Sequence, residues 1–248
     1  MDILMIECFW LFTFCVFILH VQAITASIYI HRYIIHETIV ISKNLEEIFK
    51  FVQWITGNYF KNYKIILCTL HRKHHATSDS LLDPHSPYYL TILQHYKFDH
   101  KLSAEDYEKY AQNVIPNESN FEKKIYIPYA KLGFLFWVPF LFLLFSPLVA
   151  LFGVVLVYFS LTKVYPFFGN ILFHKFGYYV KNGNRKEDKS RNFVPWGIIF
   201  CGEELHSNHH NNPGDPKYSR RWYEFDIGWL YIKVLMMLKL VNIKSKRA

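Results

Sequence analysis

The chain has 248 residues, of which 52% are hydrophobic and 19% aromatic, more apolar side chain than a water-soluble domain of this size buries. Its formal charge of +8 flanks long apolar runs and is not gathered on one polar face, which argues against nucleic-acid binding and for attraction to an anionic membrane surface. The four cysteines, Cys8, Cys15, Cys68 and Cys201, form no Cys-x-x-Cys pair, so a zinc-finger or disulfide scaffold has no support.

From Leu4 to Ile30 only Glu7 is charged, with no basic segment before the run and no small-residue cleavage site after it. A transmembrane helix over 3–30 is expected, not a removed signal peptide. Such a helix measures about 40 Å against a hydrocarbon core of about 30 Å, so its last turns should protrude, with His31 and His36 just past its end. Between Glu37 and Leu70 the apolar segments are short and cut by charges, which predicts an interfacial helix pair. Thr77 to Lys131 is polar, with Pro84, Pro87, Pro116 and Pro128, and reads as a soluble insertion of short helices.

The apolar stretch from Leu132 to Phe173 is longer than one crossing needs, and Ser146-Pro147 offers a turn. A transmembrane hairpin over 132–174 with a short first arm follows. The remainder, 175–248, is mixed and polar, with one amphipathic segment from Ile227 to Leu240. Apart from Lys163, every Lys and Arg lies in His31–Lys131 or Lys175–Ala248, so the positive-inside rule places 31–131 and 175–248 in the cytosol. The expected fold is all-α: a single domain over 1–248, about three membrane crossings including one hairpin, and a cytosolic helical cap.

Nine of the thirteen histidines are clustered: His31 and His36, His71, His74 and His75, His174, and His206, His209 and His210. Positions i, i+3 and i+4 share a helix face, so each His-x-x-His-His should aim three imidazoles at one point. Asn170 and His174 share a face in the same way. His31 and His36 do not, because five residues rotate by about 140°, so that box needs a helix end or a local distortion to converge. The hairpin puts all clusters on one side of the membrane, as a joint site requires. Nine imidazoles are too many for one ion and suit two ions of five or six ligands. Zinc prefers four ligands, whereas imidazole also suits iron, copper and nickel. His20, His95 and His100 stand alone and read as ordinary core or surface residues.

The motifs His31-Arg-x-x-x-His36, His71-Arg-x-His74-His75 with Asp79 and Asp83-Pro-His85-Ser-Pro87, Asn170-x-x-x-His174, Gly202-Glu-Glu-Leu-His206-x-x-His209-His210-x-x-Pro213 and Trp222-Tyr-Glu-Phe-Asp226-x-x-Trp229 stand in this order along the chain. In this the chain resembles the membrane fatty acyl desaturases of the stearoyl-CoA desaturase type, especially the bacterial branch. The resemblance implies that the nine histidines bind two irons, with Asn170 acting through a water and no catalytic residue beyond the metal centre. It implies an O2-dependent reaction that places a cis double bond, most often Δ9, in a saturated acyl chain on CoA or phospholipid. It also implies a bacterial inner membrane with the site on the cytoplasmic side. The family usually has two membrane hairpins, whereas one span precedes the first box here. No fused haem-binding domain is present, so a separate electron donor such as a ferredoxin, a rubredoxin or a cytochrome b5-like protein is expected.

Around the ligands, Asp79, Asp83, Glu203, Glu204 and Asp226 are the carboxylates expected to accept the second N–H of a metal-bound imidazole and fix its tautomer. His85 could join them or stabilise a turn. Arg32 and Arg72, with Lys73, could meet a phosphate headgroup or an electron donor, and Trp222 and Trp229 could line a substrate tunnel or anchor at the interface. Two rivals remain: an acyl or alkane hydroxylase with the same metals, and a membrane metal-binding protein without catalysis.

Overall fold

The first apolar run forms one uninterrupted helix, α1 (Ile3–Ile35). In this computed structural model, which describes residues 2–57, 59–97, 102–114, 118–180 and 187–244, the Asp2 carboxylate caps α1 by accepting the Leu4 N–H at 3.4 Å. The exposed face of α1 carries Phe9, Trp10, Phe12 and Phe17, the composition of a lipid-facing surface. The helix runs past the expected end at residue 30, so His31 lies inside it and not beyond it. From Thr25 to Ile35 it is wound as a π-helix.

The stretch expected to form a helix pair holds α2 (Lys43–Ile55), capped by the Ser42 hydroxyl, and α3 (Tyr63–Thr77). The second helix runs beyond Leu70 and thereby carries His71, His74 and His75. Ile28, Tyr29 and Ile35 of α1 pack with Leu45 and Phe49 of α2 and with Tyr63 and Cys68 of α3 in one core, which brings the first two histidine boxes together. The polar insertion holds α4 (Ile92–Lys97) and α5 (Ala104–Tyr110). Ser103 and Asp106 form a reciprocal capping box at the start of α5, which packs on α3. His100 lies outside the described residues.

The second apolar stretch folds back on itself as α6 (Ala130–Leu144) and α7 (Pro147–Lys175). Proline at the first position of α7 lacks the N–H that a helix start would leave unpaired. Glu7, the one charge of the first run, accepts the Ser146 backbone N–H at 2.8 Å and its hydroxyl at 2.7 Å, tying the hairpin turn to the start of α1. Leu11, Cys15 and Ile18 pack against Trp137, Leu141 and Ala150 to join the three helices. Among the described residues α1 and α7 are long and apolar enough to cross a membrane, and α6 is the shorter arm.

The molecule is mostly helical, with α8 (His206–Asn211) and α9 (Ile227–Met237) completing the cap. Asp226 caps α9 by accepting the Trp229 N–H at 2.9 Å. The all-α reading misses short ladders. Strand β1 (Ile39–Ile41) pairs antiparallel with β4 (Val241–Ile243), and β2 (Trp196–Gly197) pairs parallel with β3 (Phe225–Asp226). Two or three residues leave no period to read in a sequence.

Candidate metal centre

Residues 201–210 are buried without a break, an unusual state for a segment with three histidines and two glutamates. They are buried because they close over the imidazoles of α1, α3 and α7. Two groups form. His31, His36, His71, His75 and His209 offer five ring nitrogens that all lie within 4.8 Å of one another, and His74, His174, His206 and His210 offer four more under the same limit.

Each His-x-x-His-His box is divided between the groups, which corrects the expectation that a box aims at one point. Residues i and i+4 differ by about 40° around a helix, while i+3 falls about 60° to the other side. His71 and His75 therefore join the five-histidine group and His74 the other; His206 and His210 join the four-histidine group and His209 the other. The first box converges through its π winding. A π-helix bonds i to i+5, and the His36 N–H donates to the His31 carbonyl at 2.9 Å, leaving the two rings 4.8 Å apart.

The nitrogens face one another closely. His71 Nε2 is 2.9 Å from both His31 Nε2 and His75 Nε2, His209 Nε2 is 3.0 Å from His75 Nε2, and His174 Nε2 is 2.9 Å from His206 Nε2. Burial, reinforced by neighbouring imidazoles, holds His71, His75, His206 and His209 well below the usual histidine range, so these rings are neutral. Neutral rings carry one N–H each, and the buried His36 Nε2 has no hydrogen-bond partner. Lone pairs converging in a dry site are satisfied together by a cation. The donor set fits imidazole-binding transition metals, and five ligands in one group exceed zinc's preference for four.

Carboxylates fix the rings from behind. His31 Nδ1 donates to Glu203 at 2.7 Å, His74 to Asp83 at 2.9 Å, His174 to Asp79 at 2.9 Å and His210 to Asp188 at 3.0 Å. Each leaves Nε2 free to face the cluster. Asp83 is pinned in turn by the backbone N–H groups of Asp79 and His85. Asp188 was not foreseen. It stands in the wholly charged run Arg185-Lys-Glu-Asp188-Lys, which reads as solvated, and only the fold buries it.

A cavity of about 400 Å³ opens from both groups. His31, His71, His74 and His206 stand on its wall together with apolar residues such as Phe60, Leu67, Leu161 and Phe200. Asn170, half-buried, is on the same wall. His85, expected to join the carboxylates or stabilise a turn, and His95, expected to be an ordinary core or surface residue, also line this cavity.

No family model matches the chain. Named relatives do. Over 223 residues it is 28% identical to an sn-1 stearoyl-lipid 9-desaturase of Synechocystis, covering 86% of this chain and 64% of that one. It is 26% identical over 221 residues to an acyl-CoA 5-desaturase of Anemone leveillei, with the same coverage. A probable chloroplastic lipid desaturase of Arabidopsis thaliana is 26% identical over 245 residues, 96% of this chain and 64% of the relative. The chain thus spans just under two thirds of the length of these relatives. Over most of its length the chain is thus similar to proteins named as fatty acid desaturases.

Several roles expected from the sequence change in the structure. Arg32 cannot meet a headgroup or a donor protein, because it is fully buried. It pairs with Asp226 at 3.2 Å and Glu203 at 3.7 Å, donates to the Pro216 carbonyl and the Ser27 hydroxyl, and lies 3.7 Å over the Tyr218 ring. Arg72 is likewise taken up by the carbonyls of Ile35 and Tyr110 and by Glu37, and Lys73 by Asp106. Among the described residues Glu204 and Asp226 hold no imidazole. Glu204 accepts the N–H groups of Phe200 and Gly202, and Asp226 works one step further out through Arg32. Trp222 is 94% exposed and Trp229 packs into the core around Tyr29, so neither lines the cavity. Tyr218 was missed: its ring lies 4.7 Å from that of His209, and its hydroxyl is 3.3 Å from His31 Nδ1.

Proposed function

We propose that the chain is an O2-dependent fatty acyl desaturase with two irons in the five- and four-histidine groups. The observation that carries this reading is that histidines of both groups, His31 and His71 with His74 and His206, line one largely apolar cavity. A site that only stored metal has no need of such a cavity. The irons, when bound, supply O2 activation and the removal of two hydrogens from unactivated carbons. Overall, a saturated acyl chain, O2, two electrons and two protons become a cis-unsaturated chain and two waters.

The chain's own residues hold, orient and exclude. Phe60, Leu67, Leu161 and Phe200 keep water from the acyl chain. Glu203, Asp83, Asp79 and Asp188 fix the tautomers of four ligands. Asn170 sits on the cavity wall four residues before His174, suited to a water-bridged contact with the four-histidine group.

The relatives' names support an acyl chain carried on a lipid or on CoA; one names a 9-desaturase, which supports the Δ9 position, and another a 5-desaturase. Electrons come from a donor of ferredoxin, rubredoxin or cytochrome b5 type. The helices α1, α6 and α7 cross a bacterial inner membrane, and the basic residues keep the cap cytoplasmic.

Expression in a host without its own desaturase, followed by fatty-acid profiling with double-bond mapping, tests the reading. The expected product lacks two hydrogens, and a gain of one oxygen would instead show a hydroxylase. His206→Ala should abolish product while the protein stays in the membrane fraction; undiminished product would refute the site.

A further inference from the structure

We infer that the loop over 195–199 and the outer face of α9 form an in-plane membrane anchor, seated among the acyl chains of the leaflet beneath the metal cap. This rests on the membrane-spanning reading above. Helix α9 is apolar on two sides. Gly228 and Ile232 are buried, while Leu230, Val234 and Met237 stand exposed at positions i, i+4 and i+7. Spacing of that kind makes one continuous outward stripe. The helix has 11 residues, too few to cross a bilayer. Beside it, Trp196, Ile198 and Ile199 are exposed, as is Phe225, which pairs with Trp196 across β2 and β3. Apolar surface gathered in this way marks an interaction site, unlike single exposed residues.

Two hydrogen bonds set its depth. His20 of α1 has Nδ1 at 3.0 Å from the Ile199 carbonyl and Nε2 at 2.9 Å from the Tyr231 hydroxyl. A carbonyl only accepts, so Nδ1 carries the proton and Nε2 accepts from Tyr231. His20 stands roughly 16 Å down the helix from His31. Exposed Phe17, just below, belongs to the lipid-facing surface of α1. The loop and α9 are therefore fastened to the end of the apolar span, not to the water-facing side of the cap.

Continuity with the surface of α1 favours lipid as the occupant. Charge agrees: the one charged residue of α9 is Lys233, exposed, whose stem can lie along the acyl region while its ammonium reaches anionic headgroups. The seating bears on the site. The same loop continues into Phe200 on the cavity wall and Glu203 on His31.

The test uses the full chain in phosphatidylcholine–phosphatidylglycerol vesicles, with Cys8→Ser removing the one exposed cysteine. Nitroxides are placed singly at Ile198→Cys and Val234→Cys, with the exposed Val155→Cys inside α7 and Glu108→Cys in α5 as references. Both test sites should relax more with dissolved O2 than with a water-soluble nickel complex, like Val155→Cys and unlike Glu108→Cys. Nickel-dominated relaxation at 198 and 234, with a lipid signature at 155, would overturn the anchor and leave the patch as a protein-docking surface. Nickel dominance at 155 too would overturn the membrane-spanning reading itself.

Discussion

His210 donates from Nδ1 to the Asp188 carboxylate at 3.0 Å, and the next residue, Lys189, donates its backbone N–H at 2.8 Å to the Asp79 carboxylate that holds His174. One short segment thus orients two of the four imidazoles in its group. Three of those four rest on carboxylates, His74 on Asp83, His174 on Asp79 and His210 on Asp188. Partners of this kind typically contribute about 10–100-fold in metal affinity or activity. Asp188→Asn should therefore weaken metal binding by that order, with iron per chain measured after gel filtration. Wild-type iron content in the variant would remove the role assigned to Asp188.

Arg32 offers a sharp contrast between a surface role and a buried one. Replacing it with Met strands Glu203 and Asp226 without their cation. Losing one partner of a buried pair costs about 3–5 kcal/mol, and thermal unfolding in detergent should show it. Lys should not rescue, because an ammonium cannot reproduce the planar fork that also stacks on Tyr218. A variant that folds normally and loses only substrate affinity would contradict the burial argument.

Metal should raise stability. Converging lone pairs bind the cation in the folded chain and have no such arrangement in the unfolded one. At 100 times the dissociation constant the gain is about 2.7 kcal/mol per site. Anaerobic ferrous iron added to chelator-treated protein should lift Tm, and His36→Ala should reduce the lift. No change in Tm on addition would count against a preformed site.

In the chelator-treated protein acid should act early. Burial pushes His210 down to about 4 from an ordinary value of 6.5, against the pull of Asp188. The folded state then refuses a proton that the unfolded chain accepts, so stability is full above about pH 6.5 and falls as pH drops toward 4. Unfolding midpoints measured across that interval should decline steadily, and a flat profile would show the ring is not held neutral.

Much of this was legible in residue order. The apolar runs, the turn at Ser146-Pro147 and the histidine spacing depend on local periodicity, and periodicity survives in a single sequence. The π winding of Thr25–Ile35 was legible only as a need, since the angle between His31 and His36 demanded some distortion. Other features left no local signal. Asp188 looks like any loop acid, and Arg32 like any interfacial base, until partners from distant segments enclose them.

The sequence by itself determined which side chains could bind metal and roughly where the apolar spans lie, because ligand chemistry and hydropathy are properties of individual residues and short windows. Tertiary structure decided how nine imidazoles divide into five and four, which carboxylates stand behind them, and which arginine is walled in. Those outcomes depend on rotation about helix axes and on packing between elements far apart in the chain.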